Sequence, residues 1–147
     1  IRDDLVTGVQ TCALPISSGS GSQRVQLADV NGDGSLDLVI ADYSSDQVVV
    51  RLNNGSGVLG AATTYSVADG PYDIAIADMD ADGDLDVIAT HENVDSVSVM
   101  NNNGTGILSD PVYYLTPSGP RGLAIGDING DGAVDLVTAN KQNHPNV

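Results

Sequence analysis

Three acidic nonapeptides recur at a fixed spacing, and that spacing leaves few folds open. They are Asp29-Val30-Asn31-Gly32-Asp33-Gly34-Ser35-Leu36-Asp37, Asp78-Met79-Asp80-Ala81-Asp82-Gly83-Asp84-Leu85-Asp86 and Asp127-Ile128-Asn129-Gly130-Asp131-Gly132-Ala133-Val134-Asp135. Their first aspartates stand at 29, 78 and 127, a step of 49 residues each time. Self-similarity at a period of ~20–50 residues marks a repeat architecture in which each copy is one supersecondary unit.

From Gly21, Gly70 and Gly119 the copies align without gaps. Alternating apolar residues lead into each loop: Val25 and Leu27, Ile74 and Ile76, Leu123 and Ile125. A period of two predicts a strand. After each loop comes a nearly continuous apolar run (36–41, 85–89 and 134–137), as in a strand buried on both faces. A third strand alternates through Val48, Val50 and Leu52, echoed by Val97 and Val99. It runs into Asn-Gly-containing segments at 53–57 and 101–106, which predict hairpins with both central residues at positive φ. A fourth strand is expected at about 61–67 and 111–115, with Tyr65 and Tyr114 in register. The expected fold is all-β, with tandem four-stranded antiparallel blades of a β-propeller. Copies 21–69, 70–118 and the truncated 119–147 make about two and a half blades, an open arc, whereas closure takes ~4–8. The expected partners therefore include the missing blades of the same, longer chain.

The loops carry the chemistry. Eleven of the 20 acidic residues lie in them, five in the middle copy. Crowded carboxylates repel one another unless a cation intervenes. An all-oxygen donor set around a sharp glycine turn suits calcium, which takes ~6–8 oxygens. Three Ca2+ sites are expected. Side-chain oxygens would come from Asp29, Asn31, Asp33 and Asp37; from Asp78, Asp80, Asp82 and Asp86; and from Asp127, Asn129, Asp131 and Asp135. By analogy with the EF-hand, the seventh position (Ser35, Asp84 and Ala133) would give a backbone carbonyl. An EF-hand itself is excluded, because its position-twelve Glu is replaced by Ile40, Ala89 and Thr138 and the flanks read as strands.

The formal net charge of −15 argues against nucleic acid, whose phosphates need a basic face. Apolar residues make up 41% of the chain but fall in short runs, so no membrane insertion is expected. The single cysteine, Cys12, rules out an internal disulfide framework. No Ser/His/Asp, Cys/His or phosphate-cradling constellation is present, and the chain is expected not to be an enzyme. The sequons at Asn54 and Asn103 are already explained by turn chemistry.

Residues 21–147 resemble the FG-GAP/VCBS repeat family, the blades of the integrin α-subunit propeller and its bacterial relatives. The resemblance rests on the three Asp-x-Asp/Asn-x-Asp-Gly-x-x-Asp loops, each followed by a strand. It implies a calcium-binding propeller of a secreted or cell-surface protein. The Gly-Ala-Pro element of the integrin-type signature is missing after the loops, where Ala41-Asp42-Tyr43, Thr90-His91-Glu92 and Asn140-Lys141 stand. That favours the VCBS-like branch over integrin-type adhesion.

Residues 1–16 are out of register with the repeats: shifted by the period, residues 4–8 match 53–57 only at Gly8. Residues 6–16 resemble one reading frame of a sequencing-library adapter, so 1–16 are expected to be a non-native leader. The expected function is that of a recognition, adhesion or scaffold module with an extracellular protein or glycan ligand. The alternative is a non-catalytic, accessory propeller part of an extracellular polysaccharide-active enzyme or lectin. The loops opposite the acidic ones vary between copies, as binding loops on a shared scaffold do. Tyr43, Tyr72, His91, Glu92 and Arg121 are the candidate ligand face.

Overall fold

The structure, a computed structural model, is described for residues 21–141. The leader reading and residues 142–147 lie outside these. Ten strands are found: β1 (Ser22–Ala28), β2 (Asp37–Asp42), β3 (Gln47–Arg51), β4 (Thr63–Ser66), β5 (Pro71–Ala77), β6 (Asp86–His91), β7 (Ser96–Met100), β8 (Val112–Leu115), β9 (Pro120–Gly126) and β10 (Asp135–Asn140). They form two four-stranded sheets, β1-β2-β3-β4 and β5-β6-β7-β8, and a two-stranded pair, β9-β10. All neighbours are antiparallel and consecutive in the chain. This is the incomplete all-β blade repeat expected, and its arc is open.

The double-sided burial of the second strands has a direct cause. Val39, Ala41, Val48 and Val50 of the first sheet pack against Ile74, Val87, Ala89 and Met100 of the second in one core cluster. Leu38, Ile40 and Val49 point from the opposite face of the first sheet into a smaller cluster with Leu59. A central strand thus gives alternate residues to two cores, and every residue of β2 and β6 is buried. Pro71 and Pro120 open β5 and β9, where a missing amide leaves the ladder intact.

Polar bonds clasp the sheets together. Asn102 Nδ2 donates to Val30 O (2.7 Å), Leu108 N donates to Tyr65 Oη (3.1 Å), and Arg24 Nε pairs with Asp73 Oδ1 (2.7 Å). Asp73, buried, also accepts from Leu123 N at 3.0 Å and so links three copies.

The Asn-Gly segments correct the sequence reading. Gly55, Gly57, Gly104 and Gly106 have positive φ, but Asn54 and Asn103 do not. The isolated bridges Asn53↔Leu59 and Asn102↔Leu108 show longer loops than two-residue hairpins. Side-chain oxygens impose this: Asn53 Oδ1 accepts from Gly55 N and Gly57 N, and Asn102 Oδ1 from Gly106 N.

His91 closes β6 and is fully buried. Its Nδ1 lies 3.0 Å from Ala68 O and its Nε2 2.8 Å from Ser98 Oγ. A carbonyl only accepts, so Nδ1 carries the proton and Nε2 accepts from the hydroxyl. Burial pushes the imidazole pKa down to about 4, against about 6.5 in an unfolded chain. In that window the unfolded chain binds the extra proton. The stability from neutral His91 is therefore full above pH about 6.5 and falls as pH drops toward about 4. Denaturant midpoints measured across this window should fall less steeply for His91→Gln than for the parent protein.

Candidate metal centre

Each acidic loop connects the first strand of a copy to the second. Backbone amides order it, binding the carboxylates from within. Asp78 Oδ1 accepts from Asp82 N (3.1 Å) and its Oδ2 from Gly83 N (3.0 Å). Asp80 Oδ1 accepts from Asp82 N (3.3 Å), and Asp82 Oδ1 from Asp84 N (2.9 Å). Gly83 has φ 95°, a backbone that side chains rarely adopt, which is why the sixth position is glycine.

The ninth position closes the loop. Asp86 is fully buried; its Oδ2 accepts from Met79 N and its Oδ1 from Asn102 N, both at 2.8 Å. Asp37 repeats this with Val30 N (3.0 Å) and Asn53 N (2.7 Å), and Asp135 Oδ2 accepts from Ile128 N (2.8 Å). Bound amides leave further lone pairs on each carboxylate for a cation.

In the middle loop, Asp78, Asp80 and Asp86 each offer an oxygen, all within 4.8 Å of one another. Asn101 Nδ2 donates to Asp80 Oδ2 at 2.6 Å. Loss of hydration, then the charges of Asp82, Asp86 and Asp78, push the Asp80 carboxyl above its ordinary value. A divalent cation would relieve this repulsion, and the all-oxygen donors fit such an ion. Asp82 turns to the Asp84 amide and is not in the set. Asp84 lies beside the hairpin at Gly104, where an added Cβ would stand 2.5 Å from its Oδ2.

The outer loops share the amide pattern but differ in the third residue. Asn31 Nδ2 donates to Asp33 Oδ2, and Asn129 Nδ2 to Asp131 Oδ2, both at 3.0 Å. The Asn31 amide, then the Ser35 backbone, holds the Asp33 carboxyl below its ordinary value. Asp127 is lowered by the amides of Gly132 and Gly130. Asp29 accepts from Asp33 N and Gly34 N. At the seventh position the Ser35 and Ala133 amides donate to Asp33 and Asp131 (both 2.8 Å), as the Asp84 amide does to Asp82.

Four of the five candidate ligand-face residues converge on the turns after β2 and β6. The Tyr43 and Tyr72 rings meet edge to face, 6.3 Å apart, and Arg121 stacks over Tyr72 at 5.1 Å. Arg121 Nη2 pairs with Glu92 Oε1 at 2.6 Å, and Lys141 Nζ lies 3.5 Å from the same oxygen. Arg121 accordingly holds the Glu92 carboxyl low. His91 is the exception: it is a core residue at a strand end, not part of a solvated loop. One residue makes the difference, since Glu92 follows it and is in the turn.

Three structural devices escaped the sequence reading. Asp46 Oδ1 accepts from Gly70 N (3.0 Å) and Asp95 Oδ1 from Gly119 N (2.7 Å), tying each turn after the second strand to the next passage. Both aspartates have positive φ. Their recurrence at the repeat period was the available signal. Asn53 and Asn102, one period apart, also brace the metal loops through Leu36 O and Leu85 O. Asp73 has no equivalent carboxylate in the other copies, where Arg24 and Gly122 stand, so periodicity could not reveal it.

Because Asp86 is buried and accepts two amides, Asp86→Ala should destabilise chelator-treated protein by about 2–4 kcal/mol. Exposed Asp82→Ala should cost less than about 1 kcal/mol under the same conditions. Urea unfolding of both variants in chelator makes the comparison.

No curated protein matches the sequence. The crystal structure of TcdB2-TccC3-TEV is similar at TM-score 0.52 and 25% identity, over 78% of this chain and 6% of that one. The likeness therefore spans a small part of that much longer molecule. The model of the FG-GAP-like repeat matches residues 29–89 and, in the next register, residues 78–138. The chain is thus a β-propeller-like repeat module and belongs to the FG-GAP-like repeat family.

Proposed function

We propose that the chain is part of a calcium-stabilised, non-catalytic recognition or scaffold module of a secreted or cell-surface protein. The observation that carries this reading is the convergence of Asp78, Asp80 and Asp86 within 4.8 Å. The repeated loop framework supports extending it to three Ca2+ sites, with backbone carbonyls at Ser35, Asp84 and Ala133 completing them. The cation's role is structural. It bridges a loop already tied, through Asp37 and Asp86, to the hairpin at the other edge of the sheet.

Extracellular calcium suits such sites. Modules outside the cell bind it at ~10⁻⁴–10⁻³ M, and a site at the tighter end, in about 1 mM calcium, gains roughly 1.4 kcal/mol. Three together would contribute about 4 kcal/mol, comparable with the stability margin of a small domain. No helix among the described residues is long and apolar enough to cross a membrane. On the opposite face, the Tyr43–Tyr72–Arg121–Glu92 network is a pre-ordered surface for a protein or glycan ligand. Its support is the gathering of loops from all three copies at one place.

Calorimetric titration of chelator-treated protein should give three ions per chain and a raised melting temperature; a stoichiometry of zero or one, or a melting temperature indifferent to chelator, overturns the reading. The middle loop has the most carboxylates and Asp80 stands in its converging set, so Asp80→Ala should lower calcium affinity more than Asp33→Ala. If a glycan or matrix-protein panel finds a ligand for the full-length protein, alanine at Tyr43, Tyr72 and Arg121 should weaken it. Changes at Asn54 and Asn103 should not.

A further inference from the structure

The Asn-Gly-Thr hairpin at 103–105 has a geometry that the metal-site and recognition readings leave unused. We propose that Asn103 is a site of spontaneous covalent modification, cyclising onto the Gly104 nitrogen and losing its side-chain ammonia faster than the other Asn-Gly pairs of the described residues. Those are Asn31-Gly32, Asn54-Gly55 and Asn129-Gly130.

In the reaction the Gly104 nitrogen attacks Asn103 Cγ, and a new C–N bond forms. The bond from Cγ to Nδ2 breaks, and ammonia leaves with the proton released by the Gly104 nitrogen. Water then opens the succinimide at either carbonyl, giving aspartate or isoaspartate. No oxidant or cofactor is required.

Charge develops on Oδ1 in the tetrahedral intermediate, and donors already aimed at such an oxygen lower the barrier. Asn103 Oδ1 accepts from Thr105 N at 3.0 Å and from Thr105 Oγ1 at 2.7 Å. Asn103 is exposed, so water reaches it. The nucleophile comes from a residue whose φ of 76° favours glycine. No side chain therefore hinders the attack.

The other pairs each lack part of this arrangement. Asn54 Oδ1 accepts from two amides, Ser56 N and Val58 N, but from no hydroxyl among the described residues. Gly55 N donates to Asn53 Oδ1 at 3.2 Å, which makes it a poorer nucleophile. Gly130 N is held by Asp127 Oδ1 at 2.6 Å. The would-be leaving nitrogens of Asn31 and Asn129 are held by Asp33 and Asp131.

The modification places a new carboxylate on the hairpin beside Asp84. As isoaspartate it also inserts an extra backbone carbon inside the bond from Gly106 N to Asn102 Oδ1. Asn102 clasps Val30 O and Leu85 O, so the change loosens the junction between the first two sheets.

The test is site-resolved peptide mapping of the folded chain during incubation in mildly alkaline buffer, separating aspartate from isoaspartate products. Asn103 should convert fastest of the four pairs in the folded protein, and the rates should converge in denaturant. Thr105→Val should slow Asn103 by about fivefold, the worth of one hydrogen bond, with Asn54 unchanged; Thr105→Ser should keep the parent rate. Conversion of Asn103 no faster than that of Asn54, or a Thr105→Val rate equal to the parent's, overturns the proposal. If Thr105→Val fails to fold, the comparison of folded and denatured parent protein decides alone.

Discussion

The structure depends on a buried carboxylate that is bonded to its own backbone. Asp37 and Asp86 are each fully buried and bind two amides, one at the start of the acidic loop and one where the third strand ends. A buried ionised group is costly unless its lone pairs are met, and unmet amides are costly in turn. Each aspartate settles both demands at once. Asp86 also fixes its loop against the hairpin that reaches the preceding sheet, so that Asn102 can reach Val30 O. Remove the carboxylate, and the loop, the hairpin and the inter-sheet clasp lose their common anchor.

That anchor explains how the site is assembled. The carboxylates at the first and third positions are exposed or half-exposed and are set by turn bonds, whereas the ninth is set by the core. A cation held there would meet one immovable ligand and several adaptable ones. Loss of hydration, then crowding by Asp82 and Asp86, raises the Asp80 carboxyl and is the electrostatic trace of this arrangement. The outer loops ease it by replacing a carboxylate with an amide that donates to its neighbour.

Much of this was legible in the sequence, because a strand repeat writes its period twice: once in the alternation and once in the spacing. The continuous runs through Val39 and Ile88 marked strands buried on both sides, and the packing of Val39 against Ile74 and Val87 shows why. Tyr43, Tyr72 and Arg121, named for their place opposite the acidic loops, do meet one another. Other features depended on details that periodicity does not encode. His91 is the last residue of its strand, and its ring points toward Ser98, not solvent. The Asn-Gly segments resembled tight hairpins, yet the preceding Asn53 and Asn102 capture amides further along and widen the loop. Asp46 and Asp95 recur in register but looked like ordinary turn residues, because their acceptor role involves glycine amides 24 residues away.

The sharing of one core between the first two sheets has a consequence for cooperativity. A sheet such as β5-β6-β7-β8 has little interior of its own: Ile74, Val87, Ala89 and Met100 belong to the cluster it shares with the first sheet. The energy that holds a copy is then a property of junctions more than of copies. Such an array behaves as a one-dimensional chain of coupled units. Order in one sheet raises the stability of the next, and loss of a single junction separates the molecule into two weaker blocks. An interface residue such as Ile74 therefore has leverage far beyond its own buried area, since it belongs to the coupling and not to one unit.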